Sequence, residues 1–254
     1  MGLLRWLLKK LVFTPERVGQ IGEGKIAKDL GVLDLFGYKG YCLQNLYIPR
    51  SDGNTSEIDV LYLTQKGLFV IESKNYSGFI LGSENQQQWT STLYAGKTWY
   101  GKKQVNKYKF YNPIWQNNSH IKALQEYLGY VHAYSFIVFG DNCELKDVSY
   151  NASNVCVCNK SNLKRSIKRM WKQMDVVYDF NVLEELYARL LPLTNVSDEI
   201  KQRHIYKINE AATSTICPKC GGQLVLRTAK QGAYKGNSFY GCSNYPRCKY
   251  IRNI

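Results

Sequence analysis

The sequence predicts an α/β fold built on a mixed sheet, followed by a small separate module at the C-terminus. Segments with helical and strand patterns alternate in the order helix, three strands, helix, strand, strand, helix, which is typical of an α/β domain. The run at 133–139 is short and continuously apolar, as in a buried central strand. Four cysteines lie within 217–254, at the end of a chain of 254 residues. That length accommodates a medium domain and a small one.

The first half of the chain predicts one helix and a group of strands. After a break at Thr14-Pro15, apolar residues recur at helical intervals over 16–36. Strand-like runs follow at 41–48, 58–63 and 68–72. The tight turn Gln65-Lys66-Gly67 between the last two runs predicts a hairpin.

The second half predicts further strands, several helices and a linker. The expected elements are a strand and turn at 89–99, a helix at 111–128, a strand at 155–157, and helices at 162–174 and 182–191. The pattern breaks at Leu191-Pro192, and a polar helix with an acidic first turn starts near Ser197. We therefore expect an amphipathic helix at 1–14, the α/β domain at 15–191, a helical linker at 192–215 and the cysteine module at 216–254.

The N-terminal stretch 1–13 is basic and amphipathic but too short to span a bilayer, which needs about 20 apolar residues. It suits peripheral contact with an anionic membrane surface and, equally, a helix packed on the domain core. The chain opens with no signal peptide, and eight cysteines are too few for a disulfide-dense secreted scaffold. We therefore expect a cytoplasmic protein, with a peripheral membrane position as the alternative.

The charge balance predicts a polyanionic partner. The 34 Lys and Arg residues against 20 Asp and Glu give a formal net charge of +14. Such an excess attracts DNA, RNA or an anionic membrane at long range, and charge alone leaves these three open.

The C-terminal cysteines predict a structural Zn²⁺ site. Cys217 and Cys220 form one close pair, and Cys242 and Cys248 form a second, wider one. Two pairs of thiolates suit a closed tetrahedral zinc site, and a module this small needs a metal to supply folding energy. The alternative, a redox-active cysteine pair, leaves Cys242 and Cys248 unexplained.

Basic and aromatic residues predict nucleic-acid contacts in two places. In the cysteine module they are Arg227, Lys235, Phe239, Tyr240, Tyr245 and Arg247. Aromatic rings offer stacking faces to unpaired bases while the cations follow the phosphates. A second basic stretch contains Lys102, Lys103 and Lys107. For this stretch, and for the basic run 164–172, the alternative to nucleic-acid contact is a solvated surface.

Two runs of the cysteine module carry a specific resemblance. The runs 217–227 (CPKCGGQLVLR) and 239–250 (FYGCSNYPRCKY) resemble the C-terminal zinc finger of bacterial type IA DNA topoisomerases. The resemblance implies a zinc ribbon that contacts DNA. It does not imply topoisomerase activity, because a chain of 254 residues is far too short for a topoisomerase core.

Acidic residues at strand ends predict a second metal site. Glu72 and Lys74 share one face of the strand at 68–72 and its extension, and the hairpin can bring Asp59 beside them. Two adjacent carboxylates suit Mg²⁺, which prefers oxygen ligands. The alternative is a solvated Glu72–Lys74 ion pair on an edge strand.

A wider match favours the metal site. Gly22-Glu23, the run 57–59, the strand 67–75, and Asn112-Pro113 with Gln116 resemble the nuclease-related domain (NERD). That family belongs to the PD-(D/E)xK superfamily, so the resemblance implies a restriction-endonuclease-like mixed sheet with flanking helices.

The resemblance also implies roles for individual residues. Asp59 and Glu72 would be metal ligands, Glu23 a helix carboxylate near the metal, Lys74 the catalytic lysine, and Gln116 an auxiliary polar residue. His120 lies one helical turn beyond Gln116, but a lone His is more often structural, so we leave it outside the predicted site.

The expected function is that of a Mg²⁺- or Mn²⁺-dependent DNA endonuclease or DNA-processing factor. Its zinc ribbon would bind DNA, including single-stranded DNA, while RNA fits the same stacking faces and cations. Two alternatives stay open at this point: a non-catalytic DNA-binding platform and a membrane-surface protein held by 1–13.

Overall fold

The computed structural model describes residues 15–97, 99–101, 103–231, 236 and 238–253. The predicted N-terminal helix, Lys102 and Lys235 lie outside these residues. The chain divides into two compact units, one ending at Ser197 and the other beginning at Asp198. None of the described helices is long and apolar enough to cross a membrane.

The elements of the first unit follow one another along the chain in a mixed α/β order. They are α1 (Pro15–Leu35), β1 (Gly40–Pro49), β2 (Thr55–Thr64), β3 (Gly67–Lys74), β4 (Gly78–Ser83), β5 (Gln88–Lys97), β6 (Lys103–Tyr111), α2 (Pro113–Leu128), β7 (Ala133–Phe139), β8 (Cys143–Ser149), β9 (Val155–Asn159), α3 (Leu163–Trp171) and α4 (Phe180–Leu190). Short 3₁₀ turns at Lys160–Asn162 and Leu191–Thr194 precede α3 and follow α4.

The main sheet has the order β1-β2-β3-β7-β9 and is mixed, as predicted. β1, β2 and β3 pair antiparallel, whereas β7 lies parallel to both β3 and β9. Helix α1 covers one face, where Leu30 packs in a cluster with Phe69. Helices α2 and α4 cover the other face, where Leu124 and Leu183 pack with Val70. The predicted fold class is confirmed.

A second sheet, of order β6-β5-β4-β8, replaces the single strand predicted between 78 and 111. Its inner face is held by Trp89, which is fully buried and stacks on Phe139. β6 was missed in the sequence analysis because lysines occupy several of its outward positions. Exposed lysines are equally common in loops, so they do not indicate a strand. The helix predicted from 111 begins at Pro113, because Tyr111 still pairs with Gln88 in the sheet.

Asn112 joins this sheet to α2 through its fully buried side chain. The side-chain oxygen accepts a hydrogen bond from the Ile114 backbone N–H and so caps the helix. The side-chain nitrogen donates to the carbonyl oxygens of Ser83, Glu84 and Gln86 at 2.7–3.2 Å. One residue therefore fixes where α2 starts relative to the strand ends.

Asn112→Ala is expected to lower the free energy of unfolding by about 2–5 kcal/mol, since it removes buried hydrogen bonds and leaves their partners unpaired. Urea unfolding measures this change. Asn118→Ala, at an exposed position on the same helix, is the control and should change stability little. Equal midpoints for the two variants would contradict the anchoring role.

The second unit contains α5 (Asp198–Thr213) and a small antiparallel sheet. Its strands are β10 (Leu224–Thr228), β11 (Ser238–Cys242) and β12 (Ile251–Asn253), in that order. Its small core consists of Leu224 and three buried cysteines, with Tyr240 and Tyr250 packed against it. So few apolar side chains imply that a metal must contribute to the stability of this sheet.

Candidate active site and zinc site

Asp59 lies where β2 leaves its partner β3. The pairing of these strands begins at Val60 and Ile71, so Asp59 is the first residue beyond it. Ile58 packs on one face of the sheet and Val60 on the other, which shows that the alternation of faces is interrupted at Asp59. There, Asp59 Oδ2 accepts a 2.7 Å hydrogen bond from the Ser73 backbone N–H. The carboxylate is thereby turned toward the C-terminal end of β3.

Glu72 and Lys74 project from that end of β3 toward α2. Lys74 Nζ lies 2.7 Å from Glu72 Oε1, and only 3% of the Glu72 side chain is exposed. Gln116 connects the two: its nitrogen donates to Glu72 Oε1 at 2.7 Å, and its oxygen accepts from Lys74 Nζ at 2.9 Å. Glu72 is therefore buried, Lys74 is largely shielded, and both are held from α2, so they are not a solvated ion pair.

His120 also reaches this cluster, one turn further along α2. Its Nδ1 lies 2.7 Å from Ser56 Oγ, and its Nε2 lies 3.3 Å from Glu72 Oε2. The two atoms of the second contact are close, but their geometry is too poor for a hydrogen bond. His120 thus stands between β2 and the outer oxygen of Glu72.

Glu23 approaches from α1, on the opposite face of the sheet. A Cβ at the neighbouring Gly22 would lie 3.3 Å from Ser73 Oγ, so glycine permits the close contact of α1 with β3. Burial, followed by the charges of Glu57 and Glu72, raises the pKa of Glu23 from 4.5 to about 7. Glu23 and Glu72 are therefore near enough to repel each other.

The charges in the cluster are unequally compensated. Burial and the charge of Glu72 raise the pKa of Asp59 well above its ordinary value. Burial also acts to raise the pKa of Glu72, but Lys74 and His120 outweigh it and the pKa is lowered. The Glu72 charge in turn outweighs burial and raises the pKa of Lys74. Glu72 and Lys74 are thus a charged pair, whereas Lys74 does not outweigh the burial of Asp59, and Glu23 lies near two further carboxylates.

The four C-terminal cysteines form the other candidate site. Their sulfur atoms all lie within 4.8 Å of one another, the only such set of three or more potential metal ligands among the described residues. Cys217 and Cys248 sulfurs are 3.7 Å apart, and those of Cys220 and Cys242 are 3.3 Å apart. Four sulfurs around zinc at about 2.3 Å lie about 3.8 Å from one another.

Tight turns present the cysteines of this site. The Gly221 backbone N–H donates to the Cys217 carbonyl at 2.9 Å, and its φ of 72° is easiest for glycine. In the second turn, the Cys248 N–H donates to the Asn244 carbonyl at 3.0 Å. Both turns direct thiolates to one point, so the geometry and the donor set fit a structural Zn²⁺.

Two family models match the chain at the regions just described. The model described as "Nuclease-related domain" matches residues 18–140, which include the carboxylate cluster. The chain contains a NERD domain. The model described as "Topoisomerase DNA binding C4 zinc finger" matches residues 214–254, which include all four cysteines. Both predicted resemblances are confirmed.

Individual relatives agree with this division. An uncharacterized protein of Bacillus anthracis is 29% identical over 203 residues, which are 80% of this chain and 88% of that protein. DNA topoisomerase 1 of Methanocaldococcus jannaschii is 59% identical over 39 residues, 15% of this chain and 4% of the topoisomerase. The likeness to that topoisomerase is thus confined to the zinc ribbon. No solved structure matches the chain.

Two buried oxygens of the NERD domain indicate whether the carboxylate cluster, Glu23, Asp59 and Glu72, suits a cation. Glu23 Oε2 and Glu72 Oε2 are buried and have no hydrogen-bond partner among the described residues. Unpaired buried carboxylate oxygens are costly, and a hard divalent cation is a ligand that relieves this cost. The residues therefore fit Mg²⁺ or Mn²⁺. The carboxylate oxygens do not all lie within 4.8 Å of one another, as the cysteine sulfurs do, and a cation that retains several waters does not require this.

In the sequence analysis, no role was assigned to two residues beside the carboxylates, His120 and Glu57. His120 was excluded as a lone His, although its spacing of four from Gln116 placed both on one face of α2. Glu57 shares a strand with Asp59, and its Oε1 accepts a 2.7 Å hydrogen bond from the Tyr47 hydroxyl. Its period-two spacing from Asp59 was the available signal.

The predicted nucleic-acid residues differ in how free their side chains are. Tyr245, Arg247 and Lys107 are exposed, whereas Phe239 and Tyr240 are partly buried in the ribbon. Arg227 donates to the Cys242 carbonyl at 3.1 Å and lies over the Tyr245 ring. Lys103 begins β6. The exposed stacking face of the ribbon is thus Tyr245, with Arg227 behind it.

The raised pKa of Glu23 predicts a pH dependence of stability. Between about pH 4.5 and 7 the metal-free folded chain holds more protons than the unfolded chain, so its stability falls as pH rises. Glu23→Gln should flatten part of this slope, and Asp59 accounts for a further part in the same direction. Urea unfolding of the metal-free chain at several pH values measures it. An unchanged slope in Glu23→Gln would contradict the burial of Glu23 beside the other carboxylates.

Proposed function

We propose that the NERD domain is a divalent-metal-dependent nuclease that hydrolyses phosphodiester bonds in DNA, to which the zinc ribbon adds DNA binding. One observation carries the proposal. The Lys74 ammonium and the Glu72 carboxylate are held together by Gln116 beside Asp59, while Glu23 Oε2, on α1, is buried with no hydrogen-bond partner among the described residues. A structural ion pair alone would not account for further buried carboxylates beside it.

The proposed metal ligands are Asp59 and Glu72, with Glu23 nearby on α1. A bound Mg²⁺ or Mn²⁺ would polarise the scissile phosphate and promote ionisation of an attacking water molecule. Asp59 and Glu23 would be deprotonated when they hold a cation, whose charge would offset the cost of burying the two carboxylates. The proposal thus accounts for the raised pKa of both groups.

Lys74 acts on the phosphate, and Gln116 positions Lys74 and Glu72. Lys74 remains protonated beside Glu72, so its ammonium can offset the negative charge that develops on the phosphate in the transition state. Gln116 orients Lys74 through its oxygen and Glu72 through its nitrogen. His120 limits the movement of Glu72 from the other side.

DNA is the proposed substrate because three features favour a nucleic acid. The chain carries a net charge of +14, the ribbon matches a DNA-binding zinc-finger family, and Tyr245 and Arg247 are exposed on that ribbon. We propose that Arg227 and Arg247 contact phosphates and that Lys107 does so on the NERD domain. A cytoplasmic location remains a prediction.

A cleavage assay tests the proposal. Zinc-loaded protein is incubated with labelled single-stranded and duplex DNA in Mg²⁺, in Mn²⁺, or without an added divalent cation. We expect strand cleavage only with Mg²⁺ or Mn²⁺. Tight DNA binding without cleavage in any metal would refute the nuclease and favour a DNA-binding platform.

A further inference from the structure

Strands β5 and β6 form a long hairpin, residues 88–111, which we call the arm. They pair antiparallel from Gln88–Tyr111 at the base to Lys97–Lys103 near the tip. Nine residues at about 3.3 Å each give the arm a length of about 30 Å. Its inner face at the base is held by Trp89 and Phe110, which pack near Phe139. Among the described residues, burial decreases from Ser91, near the base, to the exposed Tyr94 and Trp99 toward the tip.

The charge of the arm suits a polyanion. Residues 88–111 include five lysines and no Asp or Glu. On the outer face, Lys107 pairs with Thr92 and lies next to Tyr94, whose side chain is 59% exposed. Tyr108, 51% exposed, faces the other side. Lysines and an exposed ring therefore share the outer face, and a further exposed ring, Tyr108, lies on the other face.

The tip of the arm exposes two aromatic side chains. Trp99 is 96% exposed and Tyr100 is 63% exposed, with their ring centroids 5.5 Å apart in an edge-to-face contact. The contact leaves both rings accessible. Exposed rings of this kind stack on nucleic-acid bases. Inside an intact duplex the bases stack on each other, so free base faces occur at ends, junctions and single strands.

The base of the arm adjoins the carboxylate cluster. Phe110 stacks on Tyr76 with ring centroids 4.1 Å apart, and Tyr76 is two residues beyond Lys74. Tyr111 leads through Asn112 into α2, which carries Gln116. A strand bound along the arm would therefore run from the tip toward the proposed catalytic groups.

We propose that the arm binds unpaired DNA bases next to a duplex, by stacking them on Trp99 and Tyr100 while its lysines contact the phosphates. The proposal rests on the proposed function, because it specifies the DNA that the nuclease selects: tailed or branched DNA in preference to continuous duplex. The length of the arm, about 30 Å, matches about nine base pairs at about 3.4 Å each, which sets the reach from tip to cluster.

Lysines with an exposed Trp also occur in proteins that contact anionic membranes. Two observations favour DNA here. Exposed rings occur along the arm, at Tyr94 and Tyr108 as well as at the tip, whereas membrane insertion needs them only at the tip. The arm also begins beside the carboxylate cluster, whose chemistry acts on phosphodiesters.

The test compares the affinity of a cleavage-deficient variant for two DNA duplexes that differ only at their ends. Fluorescence anisotropy is measured for full-length, zinc-loaded Asp59→Ala protein with a closed dumbbell duplex and with the same duplex carrying a single-stranded tail. The variant Trp99→Ala/Tyr100→Ala is added to this background. The matched control is Tyr130→Ala, an aromatic side chain that is 80% exposed outside the arm.

We expect the double variant to lose about five- to 150-fold in affinity for the tailed duplex, the range for one stacked base. Affinity for the dumbbell and the behaviour of Tyr130→Ala should stay unchanged. An equal loss on both DNAs, or no loss on the tailed DNA, would overturn the proposal. So would loss of binding to phosphatidylserine vesicles in sedimentation with DNA affinity intact.

The binding test and the cleavage assay can fail separately. Binding is measured with Asp59 already removed, so a chain without nuclease activity can still show the preference for tailed DNA. Conversely, metal-dependent cleavage with no effect of the double variant would leave the nuclease and remove the role of the arm.

Discussion

Asp59→Ala is expected to reduce the rate of DNA cleavage by on the order of 10³-fold or more, because it removes a carboxylate on which metal activation of water depends. DNA affinity should be unchanged or slightly higher, since a negative charge near the phosphate is lost. The fold should survive, because burial raises the pKa of Asp59 and its charge opposes folding in the metal-free chain. Single-turnover cleavage and anisotropy measure the two effects.

Asp52→Ala is the matched control for that experiment. Asp52 is an exposed Asp in the turn between β1 and β2, where it accepts a hydrogen bond from the Asn54 backbone N–H. Its removal takes the same charge from the chain without touching the cluster. If Asp59→Ala cleaves DNA as fast as Asp52→Ala, the proposed catalytic site is wrong.

Cys242→Ser is expected to remove one zinc ion per chain and to unfold the ribbon. Cys242 is 1% exposed, and its sulfur lies among those of the other three cysteines. The ribbon has few other buried apolar side chains, so its folding free energy depends on the metal. Elemental analysis measures the zinc, and limited proteolysis after Ser197 measures the loss of structure.

Cys143→Ser tests whether that effect is specific to the ribbon. Cys143 is a buried cysteine of the first unit, on β8 and outside the zinc set. This variant should retain its zinc. Full zinc retention in Cys242→Ser would contradict the four-cysteine ligand set.

The parts of the fold that could be predicted are those with strong local patterns. The continuous apolar run of β7 and the hairpin of β2 and β3 identified the core of the mixed sheet. The two pairs of cysteines identified the ribbon, because metal ligands must lie close together and the spacing records this directly. In each case the signal lies within a short stretch of sequence.

The second sheet could not be predicted because its strands are short or half solvated. Strand β6 carries Lys107 and Lys109 among exposed positions of its outer face, and β8 is mostly exposed. Neither has an apolar alternation strong enough to stand out from a loop. The inner face of this sheet packs through the contact of Trp89 with Phe139, two residues that are distant from each other in sequence.

The candidate site was predictable in its carboxylates but not in its supporting contacts. Asp59, Glu72 and Lys74 lie on adjoining strands, so alternation and the family resemblance were sufficient to place them together. The spacing of four from Gln116 places His120 on the same face of α2, but its contacts with Ser56 and Glu72 arise because α2 packs across the sheet, which no local pattern reports.

Binding of Mn²⁺ to zinc-loaded protein tests most directly the central claim that these carboxylates hold a divalent cation. Electron paramagnetic resonance gives the free and bound Mn²⁺ for the original chain, for Asp59→Asn and for Asp52→Asn. We predict a Mn²⁺ site that Asp52→Asn retains and Asp59→Asn loses. Equal Mn²⁺ binding by both variants, or none by the original chain, would contradict the claim.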